Sequence, residues 1–220
     1  MSNIINDRDS ISDDNESLLH EIIRYHIHNI HTSQPCTVTS FNKDNQTVNV
    51  RPGVARDLKG QLTAIPILKG VPIAYPSGSD FSMTWPLKKG DTGIIVFSES
   101  SIDNWLENNT PVVNPQDTRM HSYSDAMFIP GIRKYSKSLD IDDKNVIIKN
   151  GLGEIEISPK GNIDIKANNL KFSMDSSGKF EINGVSGNFV DLLVSALEKI
   201  SVASQGAGAD DIAKLKLMKK

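Results

Sequence analysis

The sequence predicts a mainly β protein with an N-terminal helix, a small β domain, a repetitive β segment and short helices at its end. Three observations predict this class: short period-two strands between residues 36 and 131, a repeated pattern between 145 and 185, and helical apolar spacing at both ends. The 220 residues include 24 Lys and Arg against 27 Asp and Glu, a net charge of −3. A general binder of nucleic acid or anionic lipid needs a surplus of positive charge, so these classes are disfavoured.

Cysteine content and hydropathy bound the class further. The single cysteine, Cys36, excludes an intrachain disulfide and a multi-cysteine zinc site, and it is expected to be a small buried residue. No apolar run approaches the ~18–20 residues of a membrane span, and the start lacks the pattern of a signal peptide. We expect a soluble chain made in a reducing compartment and not secreted by the ordinary route.

Residues 1–35 combine an acidic tail with an amphipathic helix. Residues 1–13 are polar and acid-rich and are expected to be disordered or loosely held. From Ser17 the apolar residues are spaced by one, three and four, which places them on one helix face. They are Leu18, Leu19, Ile22, Ile23, Ile27 and Ile30. Pro35 ends the helix, and its apolar stripe requires a partner surface.

Residues 36–131 are predicted to form a small closed barrel or a sandwich. Residues 37–41 and 47–51 alternate with period two around the turn-forming residues 42–45, which predicts a β-hairpin. Four more short strands are predicted, at residues 65–68, 71–74, 81–85 and 93–98. Prolines punctuate these strands and favour strand ends and edges.

Residues 145–185 carry a repeat. The pattern of residues 153–157 returns eight residues later at 161–165 and again at 178–182, while 169–174 keeps the step with its apolar positions shifted by one. A step near eight with glycine or asparagine at the corner is typical of a β-solenoid.

Such thin strands cannot form a core alone, because each residue costs about 1–2 kcal/mol of backbone entropy. Three identical chains wound around one axis would cover them, as an intertwined trimeric β-helix. The predicted trimer core is Ile155, Ile157, Ile163, Ile165, Phe180 and Ile182, and the predicted outward residues are Glu154, Glu156, Asp164, Lys166 and Glu181. The alternative is an antiparallel meander packed on the preceding domain.

Residues 132–144 are predicted to be a linker, and residues 186–220 a helical segment. A second apolar stripe comprises Phe189, Leu192, Leu193, Ala196, Leu197 and Ile200. After a small-residue break at 203–209, Asp210 and Asp211 begin a short helix that ends in Lys219 and Lys220, charges that suit its dipole.

Candidate chemistry is sparse. His26, His28 and His31 are the most tempting ligand cluster, but on a helix His26 and His28 point apart, and no third ligand is close in sequence. We favour histidines on the polar face of the helix. No nucleophile elbow or phosphate-binding loop is present in the sequence, so we predict no catalytic, cofactor-binding or metal-binding residues and no enzymatic activity.

Two segments resemble a known family. Residues 88–105 contain a Gly-Asp turn, a hydrophobic strand and Ser-Ile-Asp-x-Trp, and residues 121–131 contain His-Ser-x-Ser-Asp-Ala followed by Pro-Gly. Both resemble the N-terminal OB-fold domain of phage membrane-puncturing central spikes, the V-type baseplate assembly proteins of contractile tails. The matching positions are Gly90, Asp91, Gly93, Trp105, Asp125, Pro130 and Gly131.

The resemblance covers about residues 36–131 and implies a homotrimeric virion protein of the tail baseplate, made in the host cytoplasm. In such a protein the OB-fold end joins the tail hub and tube, and the β-helix punctures the host outer membrane when the sheath contracts. Related spikes often end in a His-x-His pair that binds iron. This sequence has no histidine after Gly131, so the metal is not carried over. The terminal helices either trimerise as a plug or hold a separate tip protein.

An alternative function is an OB-fold carbohydrate- or protein-binding module that its strand tail oligomerises. Trp85 and Trp105 would then line a ligand groove, although we expect both to pack in the barrel core or the trimer interface. A wall-degrading tail lysozyme is disfavoured because no hydrolase is inserted between barrel and repeat.

Overall fold

A computed structural model describes residues 6–58, 60–203 and 208–219. The chain divides into two compact units, Met1–Ser138 and Leu139–Lys220. Within the described ranges, no helix combines the length and the apolar character needed to cross a membrane.

The first unit begins with the predicted helix, α1 (Asn6–His28). It starts earlier than expected: the acid-rich residues from Asn6 onward are helical, which contradicts the expectation of a loose tail, while residues 1–5 lie outside the described ranges. Extending a helix is easier than starting one, because each added residue gains a backbone hydrogen bond without a new nucleus. Arg56 Nη2 donates to the carbonyl of His28 at 3.0 Å and so ties the end of α1 to the β domain.

A curled half-barrel sheet forms the core of this unit. Its strands are β1 (Ser33–Asn42), β2 (Thr47–Pro52), β5 (Leu68–Pro72), β6 (Thr92–Phe97) and β7 (Ala126–Pro130), in the order β5-β2-β1-β6-β7. β1 and β2 form the predicted hairpin, with Val38 opposite Val50. The two edge strands, β5 and β7, lie close to each other at one point. There Ile73 forms an isolated bridge with Phe128, and the backbone N–H of Ala74 donates to the Phe128 carbonyl at 2.8 Å. The bridge covers edges that would otherwise be left unpaired.

The remaining strand predictions succeeded only in part. The strand predicted at 93–98 is confirmed as β6, but those at 65–68 and 71–74 are replaced by the single strand β5. Residues 81–85 are not a strand, and this region holds only an isolated bridge between Ser77 and Ser82, because Pro76 and Pro86 interrupt pairing. A small hairpin, β3 (Arg56–Leu58) with β4 (Gln61–Thr63), was not predicted.

The barrel core is apolar and tightly packed. Its buried residues are Cys36, Val38, Val48, Val50, Val71, Leu87, Ile95, Phe97, Ala126 and Phe128. Cys36 is 2% exposed, as predicted, and burial raises the pKa of its thiol to about 12, which keeps the thiol neutral. A Cβ at Gly93 would collide with the Phe128 ring and the Ile129 carbonyl, so only glycine fits there.

The second unit is built on a six-stranded antiparallel meander. Its strands, in chain order and in sheet order, are β8 (Val146–Asn150), β9 (Gly153–Ile157), β10 (Ile163–Ala167), β11 (Leu170–Met174), β12 (Phe180–Gly184) and β13 (Gly187–Asn188). The predicted strands are therefore confirmed, as an antiparallel meander within one chain. A trimeric β-helix shaft is not shown.

The strand repeat has a period of 17 residues instead of eight, since Ile148, Ile165 and Ile182 occupy equivalent positions on alternate strands. Loops of two residues, as at 168–169, alternate with loops of five, as at 175–179. Two unequal loops explain why the apolar positions of β11 seemed shifted by one.

The C-terminal helices are α3 (Phe189–Ala203) and α4 (Ala209–Met218), and both confirm predicted helices. They pack together around Val190, Val194 and Ile212 and against Phe180 of β12. Lys219 Nζ lies 2.6 Å from Asp191 Oδ2 and joins the two helices. In the segment predicted as a linker, a short 3-10 helix spans Tyr135–Lys137.

Candidate assembly surface

One face of the meander carries two rows of apolar residues across five strands. Antiparallel pairing aligns two rows across β8 to β12. The first row is Val146, Ile157, Ile163, Met174 and Phe180, and the second is Ile148, Ile155, Ile165, Phe172 and Ile182. We call these ten side chains the apolar face.

The opposite face, called the charged face, carries the alternate residues of the same strands. Lys166 Nζ lies 2.8 Å from Glu154 Oε1 and 3.0 Å from Glu156 Oε2, and these two carboxylates raise its pKa. Lys171 Nζ lies 3.0 Å from Asp164 Oδ2. Partly exposed ion pairs of this kind contribute modest stability and suit a surface that faces water.

The apolar face is largely uncovered within one chain. Ile165 is 41% exposed although it lies in the middle of an apolar row, and Ile148, at the end of the same row on β8, is 52% exposed. Phe180 is the member that packs against the buried cluster of the C-terminal helices. Contiguous exposed apolar surface of this extent marks an interaction site, since soluble proteins rarely leave it in water.

Close turns hold the strands in this register. Asp175 Oδ1 accepts hydrogen bonds from the Ser177 hydroxyl at 2.7 Å and from the backbone N–H groups of Lys179 and Ser177 at 3.0 and 2.9 Å, and these bonds lower the pKa of its carboxyl group. In the preceding long loop, Ser158 Oγ accepts from Asn162 N at 3.1 Å. Register matters here because a slip of one residue would exchange the two faces.

All six residues predicted as a trimer core lie on the apolar face: Ile155, Ile157, Ile163, Ile165, Phe180 and Ile182. The residues predicted to point outward lie on the charged face. Sequence reasoning missed four further members of the apolar face, Val146, Ile148, Phe172 and Met174. The 17-residue period would have identified them, because it places each of these residues on the same face as the residue 17 positions away.

The predicted motif residues of the first unit shape turns and a loop and do not form one cluster. Gly90 has a φ of +98°, and the neighbouring Asp91 Oδ2 accepts from Lys88 N at 2.7 Å, which closes the turn into β6. Pro130 ends β7, and Gly131 follows with a φ of +126°. Trp105 lies on the short helix α2 (Asp103–Glu107) and is 57% exposed. Neither Trp105 nor Trp85 belongs to the buried core of the half-barrel, so of the two expected locations only the trimer interface stays a prediction.

Asp125 anchors the long loop between β6 and β7. Its carboxylate is fully buried and receives two hydrogen bonds from Arg119, at 2.7 Å from Nε and 2.9 Å from Nη2. The Arg119 guanidinium holds the pKa of Asp125 below its usual range. Arg119 also contacts Asp103 and Asp117, so one cation joins three parts of the loop. Sequence reasoning missed Arg119, because nothing near it marks it as the partner of a buried acid.

The histidines are not brought together as a metal site. His26 and His28 are exposed on α1, whereas His31 stacks on Tyr123 with ring centroids 3.8 Å apart. Burial lowers the pKa of His31, and the charges of Arg56 and His121 lower it further. Among the residues whose side chains are described, no group of three or more His, Cys, Asp or Glu could hold a metal ion.

Comparison with known families supports a phage structural protein that is associated with the virion. Residues 34–131 match the family model described as the phage protein Gp138 N-terminal domain. The match spans nearly all of the curled half-barrel from β1 to β7, which is the region that carries the sequence motifs. A search of curated proteins found no match to this chain.

Proposed function

We propose that this protein is the homotrimeric central spike of a contractile phage tail, with an OB-fold collar and a β-helical shaft. The observation that carries the proposal is the apolar face of ten side chains, which is largely uncovered in one chain and lies opposite a charged face. Three copies would turn their apolar faces toward a common axis and leave their charged faces in water. The match to a phage protein domain supports the proposal that this assembly is part of a phage particle.

Pairing between chains would also deal with an exposed sheet edge. β8 is a terminal strand of the meander, and Val146 and Ile148 on it are 61% and 52% exposed. An unpaired apolar edge is a template for pairing with another chain. In a three-chain shaft the edge of one copy would meet the sheet of the next, which would give a stiff structure without free edges.

The proposed role is mechanical and non-enzymatic. The barrel end would join the tail hub and tube in the baseplate, and the shaft would be driven through the host outer membrane on sheath contraction. The C-terminal helices would form the distal end, either as a plug of their own or as the seat of a separate tip protein.

A tagged particle tests this placement. In the phage that carries this chain, a compact tag fused after Lys220 should be seen by electron microscopy on the tail axis, at the distal end of the baseplate. A tag at the tail periphery or on the capsid would contradict the proposal. Clearing of a peptidoglycan suspension by the purified protein would contradict the non-enzymatic role.

A further inference from the structure

A groove of about 560 Å³ lies in the first unit, beside the turn before β6 and the segment after β7. Its polar and aromatic lining includes Thr37, Trp85, Asp91, Arg133, Lys134 and Lys137. This volume falls in the range of about 300–1,000 Å³ that is typical of small-molecule sites. All of its lining residues belong to the first unit, so none of them is a member of the apolar face.

An aromatic wall is fixed in this groove. Trp85 is 40% exposed, and its ring meets Tyr75 edge-on, with centroids 5.3 Å apart and an interplanar angle of 78°. The Tyr75 hydroxyl donates to the Trp85 carbonyl at 2.7 Å. These contacts hold the indole in place, and a fixed, exposed indole is a platform for the apolar face of a ring.

The cationic side of the groove is also held by the fold. The Gly131 backbone N–H donates to the Thr92 carbonyl at 3.2 Å, and the Thr92 hydroxyl donates to the Ile132 carbonyl. These bonds fasten the start of the segment that carries Arg133 and Lys134 beside β6, and the same segment continues to Lys137.

The cations of the groove are available to a ligand. Among the ion pairs of the described residues, none involves Arg133, Lys134 or Lys137. Asp91 is the one acid in the lining, which leaves the groove with a local excess of positive charge. Concave surfaces with uncompensated cations attract anions, and guanidinium groups bind phosphate and carboxylate in two-point contacts.

We propose that this groove binds an anionic sugar. The sugar ring stacks on Trp85, its phosphate or carboxylate group faces Arg133, Lys134 and Lys137, and its hydroxyl groups bond to Asp91. A carboxylate is a good acceptor for sugar hydroxyls but repels a nucleic-acid backbone. The lining and the chain's net charge of −3 therefore favour a sugar over a polynucleotide.

Calorimetry on the full chain tests this assignment with five probes: glucose 6-phosphate, glucuronate, inorganic phosphate, methyl glucoside and a single-stranded oligonucleotide. At least one of the two anionic sugars should bind saturably, and the tighter one identifies the anion. Inorganic phosphate and methyl glucoside should each bind at least about tenfold more weakly, because each lacks one half of the contacts and tenfold corresponds to ~1.4 kcal/mol. Equal binding of inorganic phosphate, tighter binding of a single-stranded oligonucleotide, or no binding of either anionic sugar would overturn the proposal.

Variants locate the binding. Lys134→Gln and Trp85→Ala should each weaken the anionic sugar by about fivefold or more, roughly the effect of losing one contact of ~1 kcal/mol. Lys43→Gln, which removes the same charge on the exposed turn after β1, should leave the affinity unchanged. If Trp85→Ala lowers the unfolding temperature, Arg133→Gln replaces it as the second variant. Affinities that stay at the wild-type value in the groove variants would refute the site, whatever the oligomeric state.

Discussion

Ile165→Asp should prevent trimer assembly at neutral pH. Ile165 sits between Ile155 and Phe172 in one apolar row and is 41% exposed in the single chain. Covering that exposed part is worth about 1 kcal/mol per chain, or ~3 kcal/mol for three chains. Three aspartates at one level of a dry shaft would add several kcal/mol each, because each ion loses its water without gaining a partner.

The aspartate variant should also assemble better in acid. Burial and mutual repulsion would raise the carboxyl pKa in the trimer above its free value of about 3.9, so the trimer would bind more protons than the separate chains. Protonation therefore favours assembly. The assembled fraction of the variant should increase as the pH falls toward about 4 and decrease again as the pH rises.

Sedimentation equilibrium of matched variants measures this effect. Ile147→Asp makes the same chemical change on the charged face of β8, opposite Glu156, and should still assemble. If Ile165→Asp assembles at pH 7 as the wild type does, or if Ile147→Asp disrupts assembly equally, the assignment of the apolar face to the interior is refuted.

Three further predictions concern the fold. Arg119→Met should lower the thermal midpoint of the first unit by more than about 5 °C, because it leaves the buried Asp125 carboxylate without its cation. Adding Asp125→Asn to the same chain should recover part of the lost stability, and no recovery would contradict this pairing. Gly93→Ala should cost about 1–3 kcal/mol in urea unfolding, and an unchanged midpoint would show that the strand can shift to admit a Cβ. Gly178→Ala should lower the free energy of unfolding by about 1–2 kcal/mol, because Gly178 has a φ of +84°. Gly184→Ala, at a position with ordinary φ, should lower it by less, and equal losses would contradict the role of the turn geometry.

Strands β9 to β12 were predictable because their apolar residues alternate with polar ones. β9 coincides with the predicted segment 153–157, β11 lies within the predicted segment 169–174, and all the predicted inward residues share one face. The predicted period of eight residues was wrong because loops of two and five residues alternate. The average spacing between strands, near eight, does not reveal the two lengths. Phe172 and Met174 were left out of the predicted core for that reason alone.

The first unit was harder to predict because its decisive contacts are distant in sequence. Arg119 forms an ion pair with Asp103, and an isolated bridge between Ile73 and Phe128 joins the two edges of the half-barrel. Local propensity carries no trace of such pairings. Local propensity also gave a wrong prediction at residues 81–85, where the composition is typical of a strand but the flanking prolines interrupt strand pairing.

The mass of the full chain in solution tests the central claim most directly. Light scattering at neutral pH should give about 73 kDa, three times the 24.2 kDa chain, and the species should resist dissociation by mild detergent. A stable species of 24.2 kDa would contradict the account, because the apolar face would then remain in water without a partner.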